Sequence, residues 1–207
     1  MKRLLTTLCA SLALCVPSMA HSEIEDYSYD AMICLKLGKC TEGVYKLETS
    51  DHTGEVKDIL FNLDQMGVEV YEAIPEYFVD EYRALYYSDK NVIFLNRGYL
   101  DTDDMFIKTL RHEAWHAAQD CMAGTIENSL IAIIKPEDEV PMIWRIMAER
   151  TYPESAVPWE AEAGWAGRTE KMTMEALQSC ARGTMWTDYE PTPMTREWLE
   201  ENNYIAK

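Results

Sequence analysis

The chain has 207 residues, enough for one compact domain and short for two. Its 47% hydrophobic share supplies a core, and 19 basic against 36 acidic side chains leave a formal charge of −17. Phosphate neutralisation needs clustered Lys and Arg, so this balance argues against a DNA- or RNA-binding surface. An acidic surface selects no substrate by itself.

Met1-Lys2-Arg3 is a cationic head, followed by an uncharged run from Leu4 to Val16 and by Pro17-Ser18-Met19-Ala20, with small residues at −3 and −1. This is the layout of a secretory leader, with cleavage expected between Ala20 and His21. The run is shorter than the roughly twenty apolar residues a spanning helix needs, so no membrane anchor is expected after leader removal. Leu14 before Cys15 speaks against a lipoprotein signal. The expected compartment is the periplasm or the external medium. The leader takes Cys9 and Cys15 with it, which leaves Cys34, Cys40, Cys121 and Cys180. Four cysteines in an oxidising compartment predict two disulfides, with three connectivities open.

Residues 21–32 are acidic and carry no periodicity, which fits a surface-wrapping or loose segment. From Thr53, the residues Val56, Ile59, Leu60, Leu63 and Met66 recur at helical spacing up to Gly67. Arg83 to Tyr87 and Asn91 to Leu95, joined by Ser88-Asp89-Lys90, read as a β-hairpin. A helix from Thr102 to about Met122 follows, capped by Asp101, with Phe106, Leu110, Ala114, Ala117 and Cys121 as its buried stripe. Further helices are expected over Glu137 to Arg150, from Trp159 to about Ala181 behind Pro158, and over Thr195 to Glu200 after Pro191 and Pro193 break the chain. The class is α+β, with several helices and one small antiparallel sheet in a single domain over 21–207.

The informative stretch is Arg111-His112-Glu113-Ala114-Trp115-His116. Histidines four apart on a helix face the same way, one turn apart, so both imidazoles can reach one metal ion. Glu113 lies beside the first of them and can face a water held by that ion. Zinc brings such a water's pKa towards neutrality, and the carboxylate can take its proton as it attacks a carbonyl. The plain alternative is a helix on which two His and a Glu coincide. The motif uses two of the chain's four histidines, whereas His21 and His52 form no comparable cluster.

Two histidines hold zinc weakly, so a third ligand is required. The third His of the metzincin motif is absent, because Ala-Ala-Gln-Asp-Cys follows His116. Pro158-Trp159-Glu160-Ala161-Glu162-Ala163-Gly164 occurs downstream at a helix start. Taken together, the two stretches resemble the gluzincin metallopeptidases, in which a Glu opening a Glu-x-x-Ala pattern completes the site. The resemblance runs over roughly residues 83–182 and implies a zincin-like fold. It implies His112, His116 and Glu160 as ligands of one zinc, and Glu113 as general base. Glu162 is the substitute for Glu160. Gly164 departs from the family's usual Asp or Asn, which leaves a ligand histidine without an identified hydrogen-bond partner. The resemblance further implies a peptide substrate bound in extended form along a strand, here Val92 to Asn96. Tyr152, Arg168, Tyr189 and His52 are candidates for stabilising an oxyanion, with nothing in the sequence to rank them.

Cys34 and Cys40 are near enough in sequence to bridge, which would pair Cys121 with Cys180. Geometry objects to that second bridge. Cys121 lies about 7 Å along its helix from His116, while a straight helix puts Cys180 about 30 Å from Glu160. The disulfide needs Cα atoms about 5.5 Å apart. Either the last long helix breaks, near Gly167, or the pairing differs, or one pair stays reduced. The sequence reading is an exported zinc peptidase. Its rivals are a non-catalytic exported binding protein and a metal hydrolase of a non-peptide amide.

Overall fold

The computed structural model describes residues 33–40, 42–79 and 82–206, so the leader and the acidic segment 21–32 lie outside the described residues. In chain order the elements are β1 (Val44–Lys46), α1 (Gly54–Met66), β2 (Glu69–Ala73), β3 (Ala84–Tyr87), β4 (Val92–Asn96), α2 (Asp103–Met122), α3 (Met142–Thr151), α4 (Val157–Ala166), α5 (Met172–Ala181), α6 (Met185–Asp188) and α7 (Pro193–Glu201). The class is α+β, as expected.

The four strands form one sheet in the order β1-β2-β4-β3. The hairpin is present: β3 and β4 pair antiparallel, with Ala84 opposite Leu95 and Tyr87 opposite Val92. The sheet as a whole is mixed rather than antiparallel, because β4 also pairs parallel to β2. β1 and β2 escape a sequence reading for a local reason. β1 has three residues, and the Glu-Val-Tyr-Glu-Ala of β2 alternates only weakly. Period-two packing is clearest in β4. Ile93 and Leu95 enter the main core, while Phe94 and the flanking Val92 join Leu35, Ala73 and Phe78 on the opposite face.

The helices stack on one face of the sheet. Ile59, Leu60 and Leu63 of α1, most of α2 from Leu110 onward, and Ala163, Ala166, Ala176 and Leu177 share the main core. α2 is buried nearly all round over its last three turns, so its polar residues Glu113, His116, Gln119 and Asp120 are all inside. Its cap is Thr102 rather than Asp101: the Thr102 hydroxyl accepts from the Met105 amide, and Asp103 and Asp104 occupy the first turn. α3 starts later than its periodicity suggests. Pro141 disfavours helical backbone at Val140, so a helix from Glu137 cannot run through, and Val140 packs with Ala148 and Ala161 instead.

The long helix expected from Trp159 to Ala181 is two helices. α4 stops at Gly167, and Lys171 adopts φ 66° before α5 begins. Gly167 lies hard against α2: a β-carbon there would sit 3.0 Å from the Lys108 carbonyl oxygen and 3.3 Å from the His112 Cβ. This break resolves the conflict over the cysteines. α5 folds back along α2, and Cys121 and Cys180 are joined with Cα atoms 6.2 Å apart, while Cys34 is joined to Cys40. The tail helix is opened by Pro193 rather than broken by it, with Thr192 as its cap.

The Cys121–Cys180 bridge closes a loop with a sequence separation of 59. In the chain-entropy account such a loop contributes about 4 kcal/mol. The Cys121→Ala/Cys180→Ala double variant is therefore expected to lower unfolding free energy by several kcal/mol in a urea titration. An unchanged midpoint would mean that the bridge constrains little.

Candidate metal centre

Three side chains from α2 and α4 converge at the face of α2 that opens between the helices. His112 and His116 present their Nε2 atoms 3.4 and 3.7 Å from the same oxygen, Oε2 of Glu160. The two imidazole planes are nearly perpendicular, at 86°, with centroids 5.0 Å apart. One donor atom from each of the three residues lies within 4.8 Å of the others, so this group could hold a metal ion. The side chains are 18%, 8% and 15% exposed, respectively, which leaves the site reachable and its walls dry.

The donor set fits a divalent cation on an observation internal to the protein. Oε2 of Glu160 is buried and has no hydrogen-bond donor in proper geometry. A buried carboxylate oxygen without a partner is costly. Two imidazole nitrogens and that oxygen form a donor set that could hold a divalent metal ion. Burial by itself would push the Glu160 carboxyl up. The two histidines beside it overcome that and hold it well below the usual carboxylate range. Burial likewise disfavours charge on His116, yet Glu160 and Glu113 raise it to about 9.

Glu113 is buried next to the cluster. Burial pushes its carboxyl up, Glu160 adds to this, and the two histidines and the backbone N–H of Tyr86 oppose it. Tyr86 lies in β3, the edge strand, which packs against the motif helix and donates the Tyr86 hydroxyl to Asp120. The expectation that Val92 to Asn96 lies along a substrate is corrected here. β4 is hydrogen-bonded on both sides, to β2 and β3, and has no free backbone edge. Among the described residues no strand pairs with the outer side of β3, and β3 is the strand that reaches Glu113.

Glu162 is not the third ligand of the cluster. It points into the core, fully buried, and accepts from the Trp115 Nε1 at 3.0 Å, the Gln119 Nε2 at 2.5 Å, the Ile134 amide at 3.0 Å and the Lys135 amide. Gln119 supplies the partner that Gly164 cannot: its Oε1 lies 2.8 Å from the Nδ1 of His116. Of the four oxyanion candidates, Tyr152 is the one brought against the site. Burial and then the charges of Glu160 and Glu113 push its phenol up. Arg168 lies over the Trp144 ring, Tyr189 under Lys135, and His52 stacks on Phe106.

Sequence reasoning missed Gln119, Trp115, Tyr86 and Asp120. One signal was available: Gln119 and Asp120 are strongly polar residues on a helix whose neighbours are Ala and Cys. Asp120 is fully buried, takes a hydrogen bond from the Tyr86 hydroxyl at 2.8 Å, and has its other oxygen unpartnered. Burial pushes it up to about 7 against the pull of that hydroxyl.

No protein-family model, curated protein or solved structure matches the chain.

The raised Asp120 gives a pH test. From its ordinary value of 3.8 up to about 7, the folded state keeps a proton that the unfolded state releases. Its contribution to stability therefore falls as pH rises through that window. Urea midpoints of metal-free protein at pH 5 and pH 8 are expected to differ less in Asp120→Asn than in the parent. Equal differences would place the titration elsewhere.

Proposed function

We propose that the protein is an exported, zinc-dependent peptidase of gluzincin type, with His112, His116 and Glu160 holding one zinc per chain and Glu113 as general base. The observation that carries this reading is the buried, donorless Oε2 of Glu160 facing both Nε2 atoms of a His-Glu-x-x-His helix. Zinc bound by this trio would supply Lewis acidity, lowering the pKa of water and polarising a carbonyl.

The remaining work belongs to the chain itself. Glu113 is held beside the trio by its place in the helix, and burial raises its proton affinity, which favours a group that has to take up a proton. It takes the proton of the attacking water and returns it to the leaving amine. Tyr152 stays protonated, because burial and two nearby carboxylates oppose its ionisation. Its hydroxyl therefore donates to the oxygen on which negative charge develops. An extended peptide laid along the outer side of β3, where no described strand pairs, would bring its backbone past Glu113, with main-chain hydrogen bonds supplying affinity that is independent of side chains. A zincin-like arrangement follows, with the motif helix beneath a sheet whose edge borders the cleft. The leader-like amino terminus and the two disulfides accord with an oxidising compartment. Among the described residues no helix is long and apolar enough to cross a membrane.

Metal analysis of purified protein should find about one zinc per chain. Glu113→Gln should keep that zinc while lowering kcat/KM on casein or a peptide library by about 10²–10⁴-fold. Cleavage by Glu113→Gln at the parent's rate would remove the mechanism. A parent that holds zinc and hydrolyses no peptide would leave a non-catalytic metal protein, or a hydrolase of another amide.

Tyr152→Phe separates binding from catalysis. It should lower kcat about 10²-fold or more and leave KM nearly unchanged in steady-state kinetics. A rise in KM at constant kcat would make Tyr152 a substrate-binding group instead.

A further inference from the structure

The chain departs from the resembled pattern at Gly164, yet His116 has a buried hydrogen-bond partner in Gln119, and that partner is itself held by acceptors alone. Gln119 Nε2 faces two oxygens: Oε2 of Glu162 at 2.5 Å and the carbonyl oxygen of Trp159 at 3.1 Å. A backbone carbonyl only accepts, so the amide nitrogen must occupy that side and the amide oxygen must turn to His116. At 2.8 Å from Oε1, the Nδ1 of His116 then has to carry a proton. A neutral imidazole protonated at Nδ1 has its lone pair on Nε2, the atom 3.7 Å from Oε2 of Glu160.

Glu162 anchors the arrangement. Each of its neighbours is a donor: Trp115 Nε1, Gln119 Nε2 and the amides of Ile134 and Lys135. Burial pushes this carboxyl up further than those donors pull it down. The four donors fix where its two oxygens sit, and with them the side of Gln119 that its nitrogen occupies. The same segment is tied to α2 a second time, by the Ala132 amide donating to the Gln119 carbonyl at 3.0 Å.

We infer that Glu162 and Gln119 form a positioning relay that fixes the ring orientation and tautomer of His116, making its Nε2 the metal-binding atom, and that the relay fastens the Ala132–Lys135 segment to the metal site. This inference rests on the metal-site reading given above. It assigns a role to Glu162, the residue beside the ligand position that would otherwise read as a spare ligand. Neither residue touches a substrate. Both act through His116, as buried partners of metal-bound histidines do.

The test uses the full chain and zinc itself. Gln119→Leu removes the acceptor for Nδ1–H while keeping volume. Competition against a chromophoric chelator at pH 7.5 should show its zinc Kd raised about 10–100-fold. Trp115→Phe is the structural control. It deletes one donor to Glu162 without touching Gln119, so it should lower the thermal midpoint of metal-free protein and leave the zinc Kd near the parent's. Glu162→Gln should weaken zinc as well, and Gln119→Leu/Glu162→Gln should be no worse than the weaker-binding single variant, since both act through one ring. If Gln119→Leu does not fold, nitrogen-15 NMR of the zinc-loaded parent decides. The His116 Nδ1 proton should then be visible and protected from exchange, and zinc on Nδ1 would overturn the relay. An unchanged Kd in Gln119→Leu, or an equal rise in Trp115→Phe, would also overturn it, while the peptidase reading would stand. A parent that binds no zinc would end both.

Discussion

The structure turns on bringing a buried carboxylate against two imidazoles from a different helix. Glu160 loses water on entering the cleft, and nothing in the apolar core around it compensates. The opposed histidines do, and a cation held by the trio would add to their effect. The α2–α4 contact therefore has to be set to within a fraction of an ångström. The small residues Ala163, Ala166 and Gly167 let the two backbones approach closely, and Gly167 stands almost in contact with the His112 β-carbon.

Much of this was legible in the sequence, for identifiable reasons. His112, Glu113 and His116 are local to one helix, where spacing alone fixes which way side chains face. Glu160 was reached through the family resemblance, on a Glu-x-x-Ala pattern that is itself local to one helix start. What escaped was non-local. β2 is specified by its parallel neighbour β4, with β3 intervening in the chain, and its own five residues hardly announce a strand. The interior place of β4 follows from that pairing, and it moved the open edge to β3. Helical periodicity continues from α4 into α5 because both pack on the same core, so the apolar pattern concealed the break. The steric demand at Gly167 comes from α2, which adjacent sequence does not reveal.

The polar residues within α2 divide by what they face. His112, His116 and Glu113 look towards the cleft. Gln119 and Asp120 look inward, the first to a glutamate on α4 and the second to a tyrosine on β3. One helix thereby meets its two neighbouring layers through hydrogen bonds as well as through apolar contact, and directional bonds set rotation about the helix axis more tightly than packing does. The spread of polar residues through an otherwise apolar helix is the trace of that requirement.

The bridge between Cys121 and Cys180 adds a temporal aspect. A chain whose last long helical stretch had stayed straight would hold these sulfurs far apart and could not oxidise them to each other. Their oxidation thus selects chains already bent between Gly167 and Lys171, with α5 folded back along α2. Once formed, the covalent link keeps α2 and α5 from parting again, so each oxidised molecule keeps a record that the bend between α4 and α5 was made.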